Sequence, residues 1–298
     1  MTFQYQAQSK INLLFALVSG GLMALHLLAP GFEQQYSYQL MFAVVLSLGL
    51  IHGCLDFEIA KVKAPTVSLF KFLLRYVSQI LVIALIWVFS PAVALGVFLL
   101  CTAWHFGETD FSLFKLNQPA WVIFTYGLGL TGWLFGSHID RNLDSLKLLG
   151  ITSAGEVEFL VYLAKYPVVF AGFSLFLILV AMLVSGQYRS VSKMGLLVLL
   201  LAVVWSLPVL QAFTVYFGFW HSLHTLYLIK ADIRISFKGL IVKAIPYLVI
   251  SIGMTWLMIV AFSFVDLGSE VVLVVFISSL TLPHAITMHD LLNRYRVL

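Results

Sequence analysis

Long apolar runs alternate with short polar, proline-bearing or glycine-bearing breaks along all 298 residues of the chain. A bilayer core of about 30 Å requires about 20 helical residues at a rise of 1.5 Å each. Dividing the chain at Pro, Gly and charge clusters predicts ten spans, the seventh of them short: 11–30, 38–60, 69–89, 92–113, 119–136, 161–184, 193–207, 210–229, 240–264 and 270–290. We therefore predict an all-α, polytopic membrane helix bundle of about ten transmembrane helices, with eight as the lower bound.

Composition supports a membrane protein over a soluble one. Apolar residues make up 61% of the chain, charged residues 10%, and the mean hydropathy is +1.02. Soluble domains average about 45–50% apolar and 25% charged residues, so these charges are too few to cover a water-facing surface. The longest polar stretch, 137–160, is predicted to be a loop or a short interfacial helix, and 1–298 to form a single transmembrane domain. Cys54 and Cys101 are too few for a disulfide framework or a cysteine zinc site.

The basic residues predict an orientation. If the N-terminus is cytoplasmic, the ten spans place fourteen of the 17 Lys and Arg residues on the cytoplasmic side. Only Arg141, Lys147 and Lys165 then lie on the other side. Short cytoplasmic loops carry such an excess of positive charge, so both termini are predicted to be cytoplasmic. No basic stripe or recognition motif indicates nucleic-acid binding.

Six of the eight histidines occur in four short groups inside predicted spans. The groups are His-Gly-Cys-Leu-Asp from His52, His-Phe-Gly-Glu-Thr-Asp from His105, His-Ser-Leu-His from His221, and Pro-His-Ala-Ile-Thr-Met-His-Asp around His284. The first histidine of each group precedes a basic residue by nine or ten positions, which places all four imidazoles about 14–15 Å from the basic end of their helices. A lone histidine in a span is usually hydrogen-bonded between helices, but four at one depth predict a metal site.

Among the remaining candidate residues, some have one interpretation and others have two. His224 lies three residues after His221 and either binds the same ion or bonds to a neighbouring group; we include it in the metal site but slightly favour His284 as the fourth ligand. Asp56 lies four residues after His52, on the same predicted helix face. Asp56 and Glu108 are predicted to orient histidines by accepting a ring N–H. Asp110 and Asp290 either do the same or are solvated near helix ends. His289 lies deeper toward the cytoplasm, and His26 and His138 fall on the opposite side of the membrane.

The ligand type restricts the metal and the function. Imidazole suits iron, copper, zinc and nickel, and an all-histidine site in an apolar pocket favours non-haem iron acting on oxygen. A haem would leave four of the motif histidines unexplained. A histidine-rich metal or proton transporter stays an alternative, although the outer halves of these spans are almost entirely apolar. Another membrane iron oxygenase is also possible, but the tight His-x-x-His-His clusters of membrane desaturases are missing from the sequence.

At these four groups the chain resembles the Brp/Blh family of integral membrane β-carotene 15,15'-dioxygenases. The resemblance rests most on the His-Gly-x-x-Asp group at His52 and the His-Phe-Gly-x-x-Asp group at His105. It implies an Fe(II) enzyme of a bacterial inner membrane that cleaves β-carotene with O₂ into two molecules of all-trans-retinal, which can pass to a rhodopsin. It also implies His52, His105 and His221 as ligands. The family's third group reads His-Ser-x-Arg-His, whereas here Thr225 occupies the second histidine's position and His224 that of the arginine.

Overall fold

The structure, a computed structural model, describes residues 2–136, 151, 153–163, 166–186, 191–263 and 269–297. Within these ranges the chain is all-helical, as predicted, and no strand occurs. In chain order the α-helices are α1 Thr2–Leu28, α2 Pro30–Val44, α3 Leu50–Gly53, α4 Asp56–Lys63, α5 Leu69–Phe89, α6 Pro91–Leu113, α7 Ala120–Gly136, α8 Ala154–Leu163, α9 Pro167–Val184, α10 Val191–Ser206, α11 Val209–Thr214, α12 Leu223–Asp232, α13 Phe237–Ser263 and α14 Ser269–Val297. The described helical elements also include two π-helical segments: Val45–Gly49 between α2 and α3, and Val215–Ser222 between α11 and α12.

Every predicted span overlaps a helix, but not every helix is long enough to cross a bilayer by itself. Among the described residues, six helical stretches are sufficiently long and apolar. They are Lys10–Leu28, Tyr36–Lys63, Leu69–Phe89, Pro91–Leu113, Phe237–Leu257 and Val271–Tyr295. Three further apolar helices are shorter: Ala120–Gly136, Val169–Val184 and Gly195–Ser206. These helices indicate a membrane protein with six candidate spans, and the count of eight to ten is not confirmed.

Prolines set two of the helix boundaries. Ser90 has a φ of −155° between α5 and α6, and Pro91 occupies the first turn of α6. Proline suits this position because the first helical N–H groups have no intrahelical acceptor. Pro167 likewise starts α9, so the predicted span 161–184 begins later than expected and α8 forms a separate helix before it. Of the predicted polar stretch 137–160, residues 137–150 and 152 lie outside the described residues.

Two predicted spans, 38–60 and 210–229, are not regular α-helices. Each contains a π-helical segment, in which the wider turn shifts all following side chains around the helix axis. The first span is also interrupted at Cys54 and Leu55, where α3 ends and α4 begins. Side chains on either side of these irregularities therefore do not share the face that uniform α-helical spacing predicts.

Helix α6 lies in the middle of the bundle, where it packs against α5, α7, α14 and the second π segment. Its C-terminal half, from Thr102 to Leu113, is buried apart from Trp104. The close contact with α7 depends on Gly127, because a Cβ atom there would collide with the carbonyl oxygen of Ala103. Small residues allow helix backbones to approach in this way, and here the approach determines where α6 stands.

We expect Gly127→Ala to destabilise the protein, since the added methyl group forces α6 and α7 apart. Overpacking of this kind costs about 1–3 kcal/mol. Thermal unfolding of the purified protein in detergent, followed by size-exclusion chromatography, measures the effect.

The matched control is Gly96→Ala on α6, where an added Cβ has no atom within 4 Å. Alanine has the higher helix propensity, so this variant should be as stable as the parent or slightly more stable. Equal melting temperatures for the two variants would contradict the close α6–α7 contact.

Candidate metal centre

Four buried histidines from four different segments converge at the centre of the bundle. They are His52 on α3, His105 on α6, His221 in the second π segment and His284 on α14. One ring nitrogen of each lies within 4.8 Å of the corresponding nitrogen of every other. The structure thus brings together the four residues that sequence spacing had placed at one depth of the membrane. We call them the four-histidine cluster.

The four rings form a closed arrangement of edge-to-face neighbours. His52 lies 4.7 Å from His284 and 5.3 Å from His221, measured between ring centroids. His105 lies 4.9 Å from His284 and 4.8 Å from His221. The planes of neighbouring rings are 76–82° apart. His52 thus stands opposite His105, and His221 opposite His284, around a common centre.

The two π segments bring His52 and His221 together. They contact each other directly, and the contact occurs at a glycine of each segment. Gly49 faces the ring of Phe217, and Gly218 faces the side chain of Val44, so closely that a Cβ atom at either glycine would overlap its neighbour. Because His52 and His221 each lie three residues from these glycines, the contact fixes the separation of the two imidazoles.

A carboxylate orients one of the four rings. His284 Nδ1–H donates to Asp56, with distances of 2.9 Å to Oδ1 and 3.1 Å to Oδ2. The Tyr76 hydroxyl on α5 donates to the same carboxylate over 2.8 Å. With its Nδ1 engaged in this way, His284 directs the lone pair of Nε2 into the cluster. His52 makes a longer contact of 3.4 Å from Nδ1 to the carbonyl of Leu48.

Several nitrogens of the cluster have no hydrogen-bond partner. Within the described chain these are both ring nitrogens of His105, both of His221, and Nε2 of His284. Leaving a buried polar atom without a partner costs about 1–3 kcal/mol, and native proteins rarely accumulate such atoms. A metal ion would satisfy converging imidazole lone pairs directly, so the donor set fits a metal site.

His224 and His289 lie outside the cluster. The ring nitrogens of His224 lie 2.6 Å from the Trp220 carbonyl oxygen and 3.0 Å from Asn12 Oδ1. His289 donates from Nδ1 to Glu108 Oε1 over 2.6 Å, and its Nε2 accepts from Asn293 over 2.9 Å. Of the two predicted interpretations for His224, this arrangement corresponds to bonding with a neighbour. His26 is on α1, outside the four histidine groups, and His138 lies outside the described residues.

The acidic residues contact different partners from those that spacing suggested. Asp56 was expected to share a helix face with His52, but the break at Cys54 and Leu55 places it against His284 on another helix. Glu108 is buried and bonds to His289, outside the cluster. Asp290, for which orienting a histidine and solvation near a helix end were both predicted, pairs with Lys63 over 2.6 Å.

Asp110 forms a buried network that contains no histidine. Its carboxylate accepts from the Tyr126 hydroxyl over 2.7 Å and from the Trp220 indole N–H over 2.8 Å. Tyr216 approaches the same carboxylate at 3.5 Å. Since Trp220 immediately precedes His221, Asp110 ties α6 to the π segment that carries this ligand candidate. The sequence motif could not identify these aromatic donors, because they come from other helices.

Aromatic side chains surround the cluster on the side of His221. Phe217 stacks on the His221 ring with an interplanar angle of 15°, and Phe106 lies 4.8 Å from it. Phe217 also contacts His52 edge to face. These apolar walls exclude water from the nitrogens that have no protein partner. Phe106 belongs to the His-Phe-Gly-x-x-Asp group, although no role was predicted for it, and Phe217 did not stand out in the sequence.

The comparison with protein families identifies the chain. The family model for beta-carotene 15,15'-dioxygenase matches residues 43–292, which include all four histidine groups. Neither the curated proteins nor the solved structures gave a match. Because the matched region covers most of this 298-residue chain, the chain belongs to the beta-carotene 15,15'-dioxygenase family.

We expect His284→Ala to lose bound metal and His224→Ala to retain it, because only His284 directs a nitrogen into the cluster. Metal content per mole of folded, monodisperse protein, measured by mass spectrometry of the elements, distinguishes the two variants. His26→Ala serves as the control and should match the parent. Metal loss in His224→Ala with full occupancy in His284→Ala would instead assign the site to the two histidines of the third motif.

Proposed function

We propose that this family member is a non-haem iron enzyme that cleaves β-carotene at its central 15,15' double bond. The reaction consumes one O₂ for each β-carotene. The C15=C15' bond breaks, and each carbon receives one oxygen atom, which yields two molecules of all-trans-retinal without any other oxidant or reductant. The observation that carries the proposal is the cluster of four buried imidazoles within a chain of this family.

His52, His105, His221 and His284 are the proposed Fe(II) ligands. Neutral imidazoles without a thiolate suit iron of this kind, and four ligands leave further coordination positions available. When bound, the iron supplies the means of activating O₂ next to the polyene. Each histidine comes from a different segment, so the protein holds the site in place through the packing of the bundle and not through one local motif.

Asp56 and Glu108 are proposed as positioning residues. Asp56 holds His284 in the tautomer that presents Nε2 to the cluster, and Tyr76 holds Asp56. Glu108 lies one helical turn after His105 and bonds to His289, which fastens α6 to α14 next to two of the ligands. The role of Phe106 and Phe217 is to keep water away from the reacting double bond.

The proposed substrate matches the environment of the protein. β-Carotene is a hydrocarbon that dissolves in the bilayer and not in water, so an enzyme embedded in the membrane meets it directly. The described helices expose many large apolar side chains outward, as a lipid-facing surface requires. We place the protein in a bacterial inner membrane with both termini in the cytoplasm, where released retinal is available to a rhodopsin.

We expect expression in a bacterial host that accumulates β-carotene to bleach the cells and produce retinal. The yield should approach two retinal molecules for each β-carotene consumed. Extraction and chromatography of the pigments and retinoids measure both. Purified protein stripped of metal should regain activity with Fe(II) and not with Zn(II), since zinc does not activate oxygen.

His105→Ala is expected to abolish retinal formation because it removes one ligand of the cluster. His26→Ala, which lies outside the motifs, should retain activity at equal membrane expression. Persistent colour without retinal in the parent, despite iron supply and confirmed membrane insertion, would refute the proposed reaction. Unequal apocarotenal fragments would refute cleavage at the central bond.

We expect Asp56→Asn to weaken Fe(II) binding by about 10–100-fold, the usual loss when a partner that orients a metal-binding histidine is removed. The amide carries no charge and supports the His284 N–H less strongly than the carboxylate does. Competition with a chelator gives the affinity. Tyr76→Phe keeps the carboxylate and should produce a smaller loss; an effect as large as that of Asp56→Asn would assign the main role to the hydroxyl.

A further inference from the structure

A cleft of about 450 Å³ opens between α4, α5 and α14, near the ends of these three helices that carry their basic residues. None of the four cluster histidines lines it. It borders the site through Tyr76, whose hydroxyl bonds to Asp56, and through Pro283, which directly precedes His284. The cleft is therefore a separate feature, and nothing in the cleavage of a hydrocarbon requires its chemistry.

The lining is strongly cationic. One acidic residue, Asp290, lines the cleft together with four basic residues: Lys63, Lys71, Arg75 and Arg294. Lys63 pairs with Asp290 over 2.6 Å, and Arg294 donates to Asp232 over 2.8 Å. The other two basic residues, Lys71 and Arg75, have no ion-pair partner in the described part of the chain. They are four residues apart on α5 and so project from one helix face toward the same cleft.

Apolar surface continues from this charged pair along α5. The cleft itself has apolar walls, which include Ile59, Phe72 and Ile286. Beyond it, toward the middle of the candidate span Leu69–Phe89, Val82 and Leu85 are more than half exposed. The ligand that suits this combination has an anionic group for the two cations and hydrocarbon chains for the helix above them.

We propose that the cleft binds an anionic phospholipid, with its phosphate between Lys71 and Arg75 and its acyl chains along the exposed face of α5. Basic pockets between helices near a membrane surface attract anionic headgroups, and arginine and lysine form charge-assisted hydrogen bonds to phosphate oxygens. A free phosphate would use the two cations but not the apolar surface. The lipid therefore fits the site better than a soluble phosphate does.

Native mass spectrometry of the detergent-purified full chain, titrated with dioleoyl phosphatidylglycerol or dioleoyl phosphatidylcholine, tests this site. We expect the parent to retain phosphatidylglycerol preferentially. The double variant Lys71→Gln/Arg75→Gln should bind it about 25-fold more weakly, at about fivefold for each cation near the membrane surface. The charge-conserving variant Lys71→Arg/Arg75→Lys should retain most of the affinity, which separates loss of charge from misfolding.

The matched control is Lys115→Gln/Lys238→Gln, which removes two exposed lysines outside the cleft. It should bind phosphatidylglycerol as the parent does. An equal loss in this control would show general attraction to a basic surface, and equal retention of phosphatidylcholine would show no headgroup selection; either result overturns the site. Displacement of the lipid by millimolar inorganic phosphate would also overturn it, in favour of a soluble phosphate ligand.

Discussion

Polar ring nitrogens inside an apolar helix bundle must have partners, and this requirement governs the arrangement of the helices at the centre of the protein. Among the residues that the structure describes, His105 and His221 have no partner for either nitrogen, and His284 has none for Nε2, although all three are buried. Such an arrangement is unfavourable unless the nitrogens share a ligand. A ligand shared by the four-histidine cluster would therefore stabilise the packing of α3, α6, α14 and the second π segment.

Irregular helix geometry makes this convergence possible. His52 follows the first π segment by three residues, and His221 lies within the second. The π segments change the direction of the following side chains, and the contacts at Gly49 and Gly218 bring the two backbones close. Wide turns of this kind often occur at functional sites because they reorient a side chain without breaking the helix. The same segment carries Trp220, through which Asp110 anchors it to α6.

The carboxylates divide between the centre and the membrane surface. Asp56 supports the cluster through His284, while Glu108 and Asp110 connect helices beside it. Asp290 instead pairs with Lys63 near the proposed lipid site. Tyr76 is where the two regions meet, because it lines the cleft and also holds Asp56. An anionic lipid in the cleft would thus be separated by the Tyr76 side chain from Asp56, the carboxylate that orients the proposed iron ligand His284.

By itself the sequence determined the helical class and the common depth of four histidines, but not the number of membrane spans. Hydropathy and helical rise are properties of neighbouring residues, so the place of His52, His105, His221 and His284 along their helices could be read without knowing the fold. The motif at His52 and the motif at His105 also indicated the family. Tertiary structure alone decided which side chains meet. The helix break at Cys54 moved Asp56 from His52 to His284, and the rotation of α12 placed His224 against Asn12 and not in the cluster. These outcomes depend on rotation about helix axes, which is set by contacts between segments far apart in the chain and has no local signature.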